Sequence, residues 1–327
     1  MSKNRRIDCE YSDKKTEELL ESEYTLAVIT FDGSARASDD PRVTHSGLTQ
    51  LGDNADVCEV WRSPGPVSTG RCGSIGWSSN KEHMFCSVYV EDTPDIAAAT
   101  EDAYKAILSL TQKRGYTHLE RAWNYFAQIN VGHNDNERYR QFCIGRLNAF
   151  NQAAYDQAQP NFPSACAIGR ASGGINIYLI ASNTECQHFE NPEQVSAYHY
   201  PKQYGPASPS FARATLSGAT PEQTLLHISG TAAVKGHKTL FSGNVQKQLS
   251  LTLENISQLV DHIKDASTLS TKPSLKLLKV YLRRSDDLEK IRPTVSKHFP
   301  SAKTLFIHGD ICRQDLDVEI DGLCITK

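Results

Sequence analysis

The sequence predicts an α+β fold in two parts, and three observations carry that prediction. Short strand-like runs such as 24–31 and 175–181 are interleaved irregularly with helical spacings, which argues for a mixed layer and against a barrel. The last hundred residues read in the order β, α, β, α, β, β, as a mixed sheet with both helices on one face. The chain has 327 residues, 39% hydrophobic and 22% charged, enough for two domains of about 150 residues with their own cores. The expected division is a polar lead-in over 1–23, an N-terminal α+β domain over 24–215 and a C-terminal domain over 220–327.

The lead-in is polar, a frayed segment or a short helix. Residues 24–31 form a buried strand stopped by Asp32-Gly33, and 57–62 and 84–90 are further strands separated by turn-rich polar segments. Alanine and leucine spacing over 96–113 gives a helix capped by Thr93 and ended by Gly115. A strand over 121–131 runs into a turn at 132–136. Tyr139, Phe142, Cys143, Leu147 and Phe150 mark the buried face of a helix over 137–157. Residues 165–169 and 175–181 flank Arg170-Ala171-Ser172-Gly173-Gly174 as a hairpin. The stretch 190–209 carries Pro192, Pro201, Pro206 and Pro209 among aromatic residues, and loops of this length inside a compact protein are often functional. In the last part, 224–228 is a strand, 244–264 an amphipathic helix, 275–282 a strand and 286–299 a helix. Residues 303–308 and 316–325 are the closing strands.

Composition excludes several classes of function. Thirty-five basic against 38 acidic side chains give a net charge of −3, which argues against nucleic acid as a partner. The longest apolar runs are far short of the roughly 20 residues of a membrane span, and the basic residues of 1–10 have no apolar segment behind them, as a secretory signal would. None of the nine cysteines forms a Cys-x-x-Cys pair, and several sit in apolar strings, so the chain reads as cytoplasmic and free of disulfides. The eleven histidines show no metal-ligand spacing. No metal site is expected.

Four stretches carry a resemblance. They are Arg-Tyr-Arg-Gln-Phe-Cys-Ile-Gly-Arg at 138–146, Gln-Tyr-Gly-Pro at 203–206 running into Phe-Ala-Arg-Ala at 211–214, Ser-Gly-Thr-Ala at 229–232, and Gly-Asp-Ile-Cys-Arg at 309–313 with Val-Glu-Ile-Asp-Gly at 318–322. Over roughly 24–326 the chain resembles the chorismatases. Its C-terminal part, with Ile228-Ser229-Gly230 and Asn-Val-Gln-Lys-Gln at 244–248, resembles the small trimeric YjgF/RidA proteins of chorismate-mutase-like fold. The resemblance implies removal of the enolpyruvyl group of chorismate as pyruvate, without a cofactor. The ring product is 3-hydroxybenzoate, with or without 4-hydroxybenzoate, or in a hydrolytic branch a dihydroxycyclohexadiene carboxylate. It leaves a monomer or a RidA-like trimer open. The rival readings are a RidA-like imine deaminase and a non-catalytic module that binds an aromatic carboxylate.

Glu319 is the expected catalytic acid. Opening an enol ether begins with a proton delivered to its methylene carbon, which needs a carboxyl group still protonated near neutral pH. In Asp315-Leu-Asp317-Val-Glu319-Ile-Asp321, alternation sets four carboxylates on one face of a strand and Leu316, Val318 and Ile320 on the other. Burial and like charge both favour the protonated acid. The alternative is an edge strand with a charged outer face. Chorismate is a dianion, and the planar fork of arginine suits its carboxylates. Arg213 lies among small and apolar residues and Arg146 beside Gly145, so both are candidate ligands, with an inter-domain ion pair as the alternative. Arg138 and Arg140 are assigned to the solvated side of their helix, and the role of Arg313 is left open, pairing with nearby acids being one option. Tyr198 and Tyr204 are candidate hydroxyl donors to the substrate, or loop packing. Ser229, Gly230 and Thr231 form either a backbone anion nest or a plain tight turn. Cys312 is expected as a neutral thiol that shapes the pocket and excludes water, a position the resemblance connects with hydroxybenzoate formation.

Overall fold

The computed structural model describes residues 7–52, 56–153, 161–218 and 224–326. The first part comprises β1 (Asp8–Ser12), α1 (Thr16–Leu20), β2 (Thr25–Thr30), β3 (Ala35–Arg36), β4 (Val43–Ser46), β5 (Thr49–Gln50), β6 (Cys58–Arg62), β7 (Ser68–Cys72), β8 (Ile75–Ser79) and β9 (His83–Val90). Next come α2 (Ile96–Lys113), β10 (His118–Ala127), α3 (Arg138–Gln152), β11 (Ser164–Arg170), β12 (Ile175–Ser182), β13 (Gln187–Phe189) and β14 (Ala214–Ser217). The last part comprises β15 (Leu225–Ala232), β16 (Val234–Lys235), β17 (Lys238–Thr239), α4 (Val245–Ala266), β18 (Ser274–Leu282), α5 (Leu288–His298), β19 (Lys303–His308), β20 (Asp310–Ile311) and β21 (Val318–Ile325).

β12 is buried at every position, and a strand of that kind needs cover on both faces. It lies inside a seven-stranded sheet, β20-β11-β10-β12-β9-β8-β7. One face packs on α2 and α3 through Ile177, Leu179, Ile107 and Phe142. The other face, with Trp123, Tyr125 and Tyr178, meets a second seven-stranded sheet, β13-β14-β15-β21-β18-β19-β5, through Tyr281, Leu305 and Leu323. The helices α4 and α5 cover the far face of that second sheet, both on one side as their apolar stripes predict. A five-stranded sheet, β1-β6-β2-β4-β3, closes one flank. The class is α+β.

Several expectations are corrected. From Ile7 on the lead-in is built into the fold, its first six residues lying outside the described ones: Ile7, Cys9 and Tyr11 alternate inward, β1 pairs with β6, and the Tyr11 hydroxyl donates to Leu278 O at 2.8 Å. Only α1 answers to the expected short helix. β7 and β8 form a hairpin where only turns were expected. Asp95, not Thr93, caps α2, accepting from Ala98 N at 3.0 Å. α3 ends at Gln152, and part of the expected helix over 137–157 lies outside the described residues. β11 and β12 are not hairpin partners, because β10 runs between them, parallel to one and antiparallel to the other. Residues 170–174 instead cross the end of β10, and the Arg170 guanidinium donates to Tyr125 O and Gly174 O. β21 is a central strand, between β15 and β18, so the edge-strand reading of its acids fails. Strands also cross the expected division: β13 and β14 lie in the second large sheet and β20 in the first.

Candidate active site

A cavity of about 520 Å³ opens where β11 approaches β15, between the two large sheets. α3 contributes Tyr139, Cys143 and Arg146 to its wall, the proline-rich loop Tyr200 and Tyr204, and the segment before β14 Arg213. The segment before β21 adds Cys312 and Arg313, and β21 itself adds Glu319. Among the described residues no group of three or more His, Cys, Asp or Glu is arranged to hold a metal ion.

Glu319 reaches the cavity because of an irregularity in β15. The pairing of β15 with β21 shifts register between Ile228 and Thr231, and Gly230 at this bulge lies against the Glu319 carboxyl. A Cβ on Gly230 would fall 1.9 Å from Glu319 Oε1, so only glycine admits the carboxyl here. Glu319 is 4% exposed, with no cation within ion-pair distance among the described residues. Burial and then the like charge of Asp321 push its carboxyl up to about 8, against the opposing pull of Arg121 and Arg213.

Behind Glu319 lies a closed set of charges. Asp321 pairs with Arg121 at 3.0 Å and accepts from the Tyr281 hydroxyl at 2.9 Å. Glu59 pairs with Lys279 at 2.7 Å and accepts from Trp61 Nε1 at 2.8 Å. Two acids meet two bases, so these buried charges cancel without Glu319. An ionised Glu319 would be the surplus charge, which the low-dielectric interior disfavours. The four-carboxylate face expected from alternation is reduced to Glu319 and Asp321. Asp315 and Asp317 precede the strand and are held by Thr239 and Arg284.

The cavity also holds guanidinium groups with few partners. Arg146, 3% exposed, donates Nη1 to Ser210 O at 2.8 Å, while its Nε and Nη2 are buried without a hydrogen bond among the described residues. Arg213, 5% exposed, donates Nη2 to Val195 O and to the Tyr200 hydroxyl at 2.8 Å, with Nε unbonded. Buried cations left so short of acceptors suit an anionic ligand. The close approach at Gly145 serves helix packing, since a Cβ there would lie 2.1 Å from Ala97 O of α2.

A chorismatase of Streptomyces hygroscopicus is 35% identical over 285 residues, 84% of this chain and 81% of that protein. The chain belongs to the chorismatase family. A crystal structure of a chorismatase superposes with a TM-score of 0.89 at 32% identity, covering 97% of this chain and 98% of that one. A second S. hygroscopicus protein, described as a 3-hydroxybenzoate synthase, is 38% identical over 277 residues, 81% of this chain and 80% of its own length. The family model for the chorismatase FkbO/Hyg5-like N-terminal region matches residues 59–181, which include Arg146 but neither Arg213 nor Glu319.

In this chorismatase fold, Glu319, Arg146, Arg213, Tyr204, Gly230 and Cys312 come together on one cavity, although 173 positions separate Arg146 from Glu319 in the chain. Tyr198 does not join them: it packs on Phe162 with ring centroids 5.8 Å apart, and Tyr200 takes the place expected of it. Ser229 and Thr231 line no part of the cavity either. The Ser229 hydroxyl bridges Ala212 O and Ala165 N, and the Thr231 hydroxyl returns to Ser229 O, so both serve the bulge. Arg313 stacks over Tyr204 at 4.1 Å and donates to His237 O instead of pairing with acids. Arg138 is not on the solvated side: its half-buried guanidinium donates to Ala127 O and Thr93 O and pairs with Asp92, and Arg140 reaches the cavity rim with Glu137 beside it. The Cys312 thiol is pushed up to about 12 by burial and by Glu319, so it is neutral. Sequence reasoning missed Tyr139, Cys143, Cys166 and Asn124 as lining residues. Tyr139 and Cys143 were legible only as a buried helix face, and nothing in the pattern of β10 marks Asn124.

Proposed function

We propose that this enzyme cleaves chorismate and that Glu319 supplies the proton. The observation that carries this is one buried carboxyl group, without a cation partner and favoured in its protonated form by burial, sharing a cavity with two buried arginines that, among the described residues, lack carboxylate partners at hydrogen-bonding distance. The substrate brings two carboxylates and an acid-labile enol ether, which matches that set. Arg146 and Arg213 hold the carboxylates and thereby aim the methylene carbon at Glu319. Protonation of that carbon gives an oxocarbenium ion. Capture by water leads to pyruvate and the dihydroxycyclohexadiene carboxylate; capture by an oxygen of the substrate leads, without net consumption of water, to pyruvate and hydroxybenzoate. The test couples pyruvate release to lactate dehydrogenase and identifies the ring product by chromatography. A chain that binds chorismate but frees no pyruvate is a binding module and not this enzyme.

Cys312 and the relative described as a 3-hydroxybenzoate synthase both favour hydroxybenzoate as the main product. A neutral thiol is a poor hydrogen-bond partner, and a bound water needs roughly 2–4 good ones. Cys312→Gln is expected to divert part of the flux to the dihydroxy acid, with pyruvate release falling less than hydroxybenzoate. A difference of about 1.4 kcal/mol between the two captures changes the ratio tenfold. An unchanged product profile under single-turnover conditions would leave Cys312 a packing residue.

The pH dependence follows from the same geometry. Glu319 acts in its protonated form, so kcat/KM falls as pH rises through the region of 8. Asp321→Asn removes the like charge that helps hold the proton. The loss of rate then begins at lower pH, with a severalfold deficit at pH 8 and little at pH 6. A profile that keeps its alkaline limb in place would free Glu319 of any dependence on Asp321.

A further inference from the structure

Glu190 lies directly behind Arg213 and lines no part of the cavity. Its Oε2 stands 3.9 Å from Arg213 Nε. Among the described residues both carboxylate oxygens, and that Nε, are buried without a partner in hydrogen-bond geometry, with the Ser196 hydroxyl and the Arg213 backbone N–H nearby. The two groups therefore face each other as a loose pair across a gap too long for a hydrogen bond. The charged and titratable groups around Glu190 are Arg213, from the segment before β14, and Tyr198, from the proline-rich loop, with the Ser196 hydroxyl beside them. Arg213 is thus the cation on which an ionised Glu190 depends.

A substrate carboxylate that engages Arg213 takes over this counter-charge and brings a second negative charge close to Glu190. Both effects favour a neutral Glu190. We propose that Glu190 is a proton-linked positioning residue for Arg213: it faces the guanidinium as a loose counter-charge in the empty cavity and takes up a proton when a substrate carboxylate engages that group. Burial already pushes Glu190 up to about 7, so a modest change of field moves it across physiological pH. Arg213 is in this way held in place in the empty enzyme and released to a ligand without a competing anion. The proposal rests on the chorismatase reading through Arg213 alone and is independent of which residue donates the catalytic proton.

The test is chorismate binding to the Glu319→Gln protein, measured by isothermal titration calorimetry between pH 6 and pH 8. The carboxyl groups of chorismate stay ionised over this range. The dissociation constant is expected to rise about tenfold from pH 6 to pH 8, and titrations at pH 8 in buffers of different ionisation enthalpy should show close to one proton taken up per chorismate. Adding Glu190→Gln, which imitates the protonated acid, should flatten the pH dependence and tighten binding at pH 8. A residue with a merely structural role would weaken binding at both pH values. A dissociation constant indifferent to pH, or a Glu190→Gln protein that keeps the pH dependence, overturns the proposal, and the buffer experiment alone decides it if the double variant does not fold. Failure to bind chorismate at any pH overturns this proposal and the assigned substrate together. If the Glu319→Gln protein still frees pyruvate, the assigned acid is wrong and the pH dependence of KM decides on Glu190 instead.

Discussion

Replacing Glu319 with glutamine is expected to lower turnover by about 10²–10⁴-fold while chorismate still binds. Glutamine keeps the shape of the side chain and can lie against Gly230 as glutamate does, so the bulge in β15 and the packing around it are preserved. It cannot give a proton to carbon. The fold has little reason to object, because the paired charges behind the site already cancel without Glu319. The variant should therefore melt at or above the temperature of the wild type, separating loss of chemistry from loss of structure. Single-turnover pyruvate release with a parallel binding titration makes the measurement. Retention of more than about a tenth of wild-type turnover would remove Glu319 from the mechanism, given the size general acid catalysis usually has.

The second large effect is expected at Arg213. Arg213→Lys keeps the charge but loses the planar fork and the bond to the Tyr200 hydroxyl. A hydrogen bond to a charged group contributes about 1.5–3 kcal/mol, so KM should rise roughly 10- to 150-fold. A smaller fall in kcat is expected because the methylene carbon is less well aimed at Glu319. Glu190 still faces a cation in this variant, so no buried acid is left uncompensated and thermal stability should change little. Steady-state kinetics with chorismate read both parameters. If KM and kcat both match the wild type, Arg213 does not hold the substrate.

Much of this protein is determined locally, and the sequence shows it. The α+β class, the helix at Ile96–Lys113 and the strand at Lys303–His308 follow from periodicity and breakers, which act over a few residues. Alternation sets Glu319 on the face opposite Leu316, Val318 and Ile320, and apolar chain neighbours single out Arg146 and Arg213, but the burial of Glu319 is decided by the position of β21 between β15 and β18. Other features depend on which segments meet. The insertion of β10 between β11 and β12, the use of β5 and β20 in sheets far from their chain neighbours, and the bulge that brings Gly230 against Glu319 have no local signature. The same holds for the pairing of Asp321 with Arg121, 200 residues apart, and for Glu190 behind Arg213. Tyr198 and Tyr200 show the limit most simply. Two tyrosines in one loop have the same composition and the same chemistry, and only the packing of Tyr198 on Phe162 leaves Tyr200 to face the cavity. Sequence sets which groups are available and how they prefer to be buried. Tertiary structure decides which of them share a field and a cavity, because charge interactions and ligand contacts act through space and not along the chain.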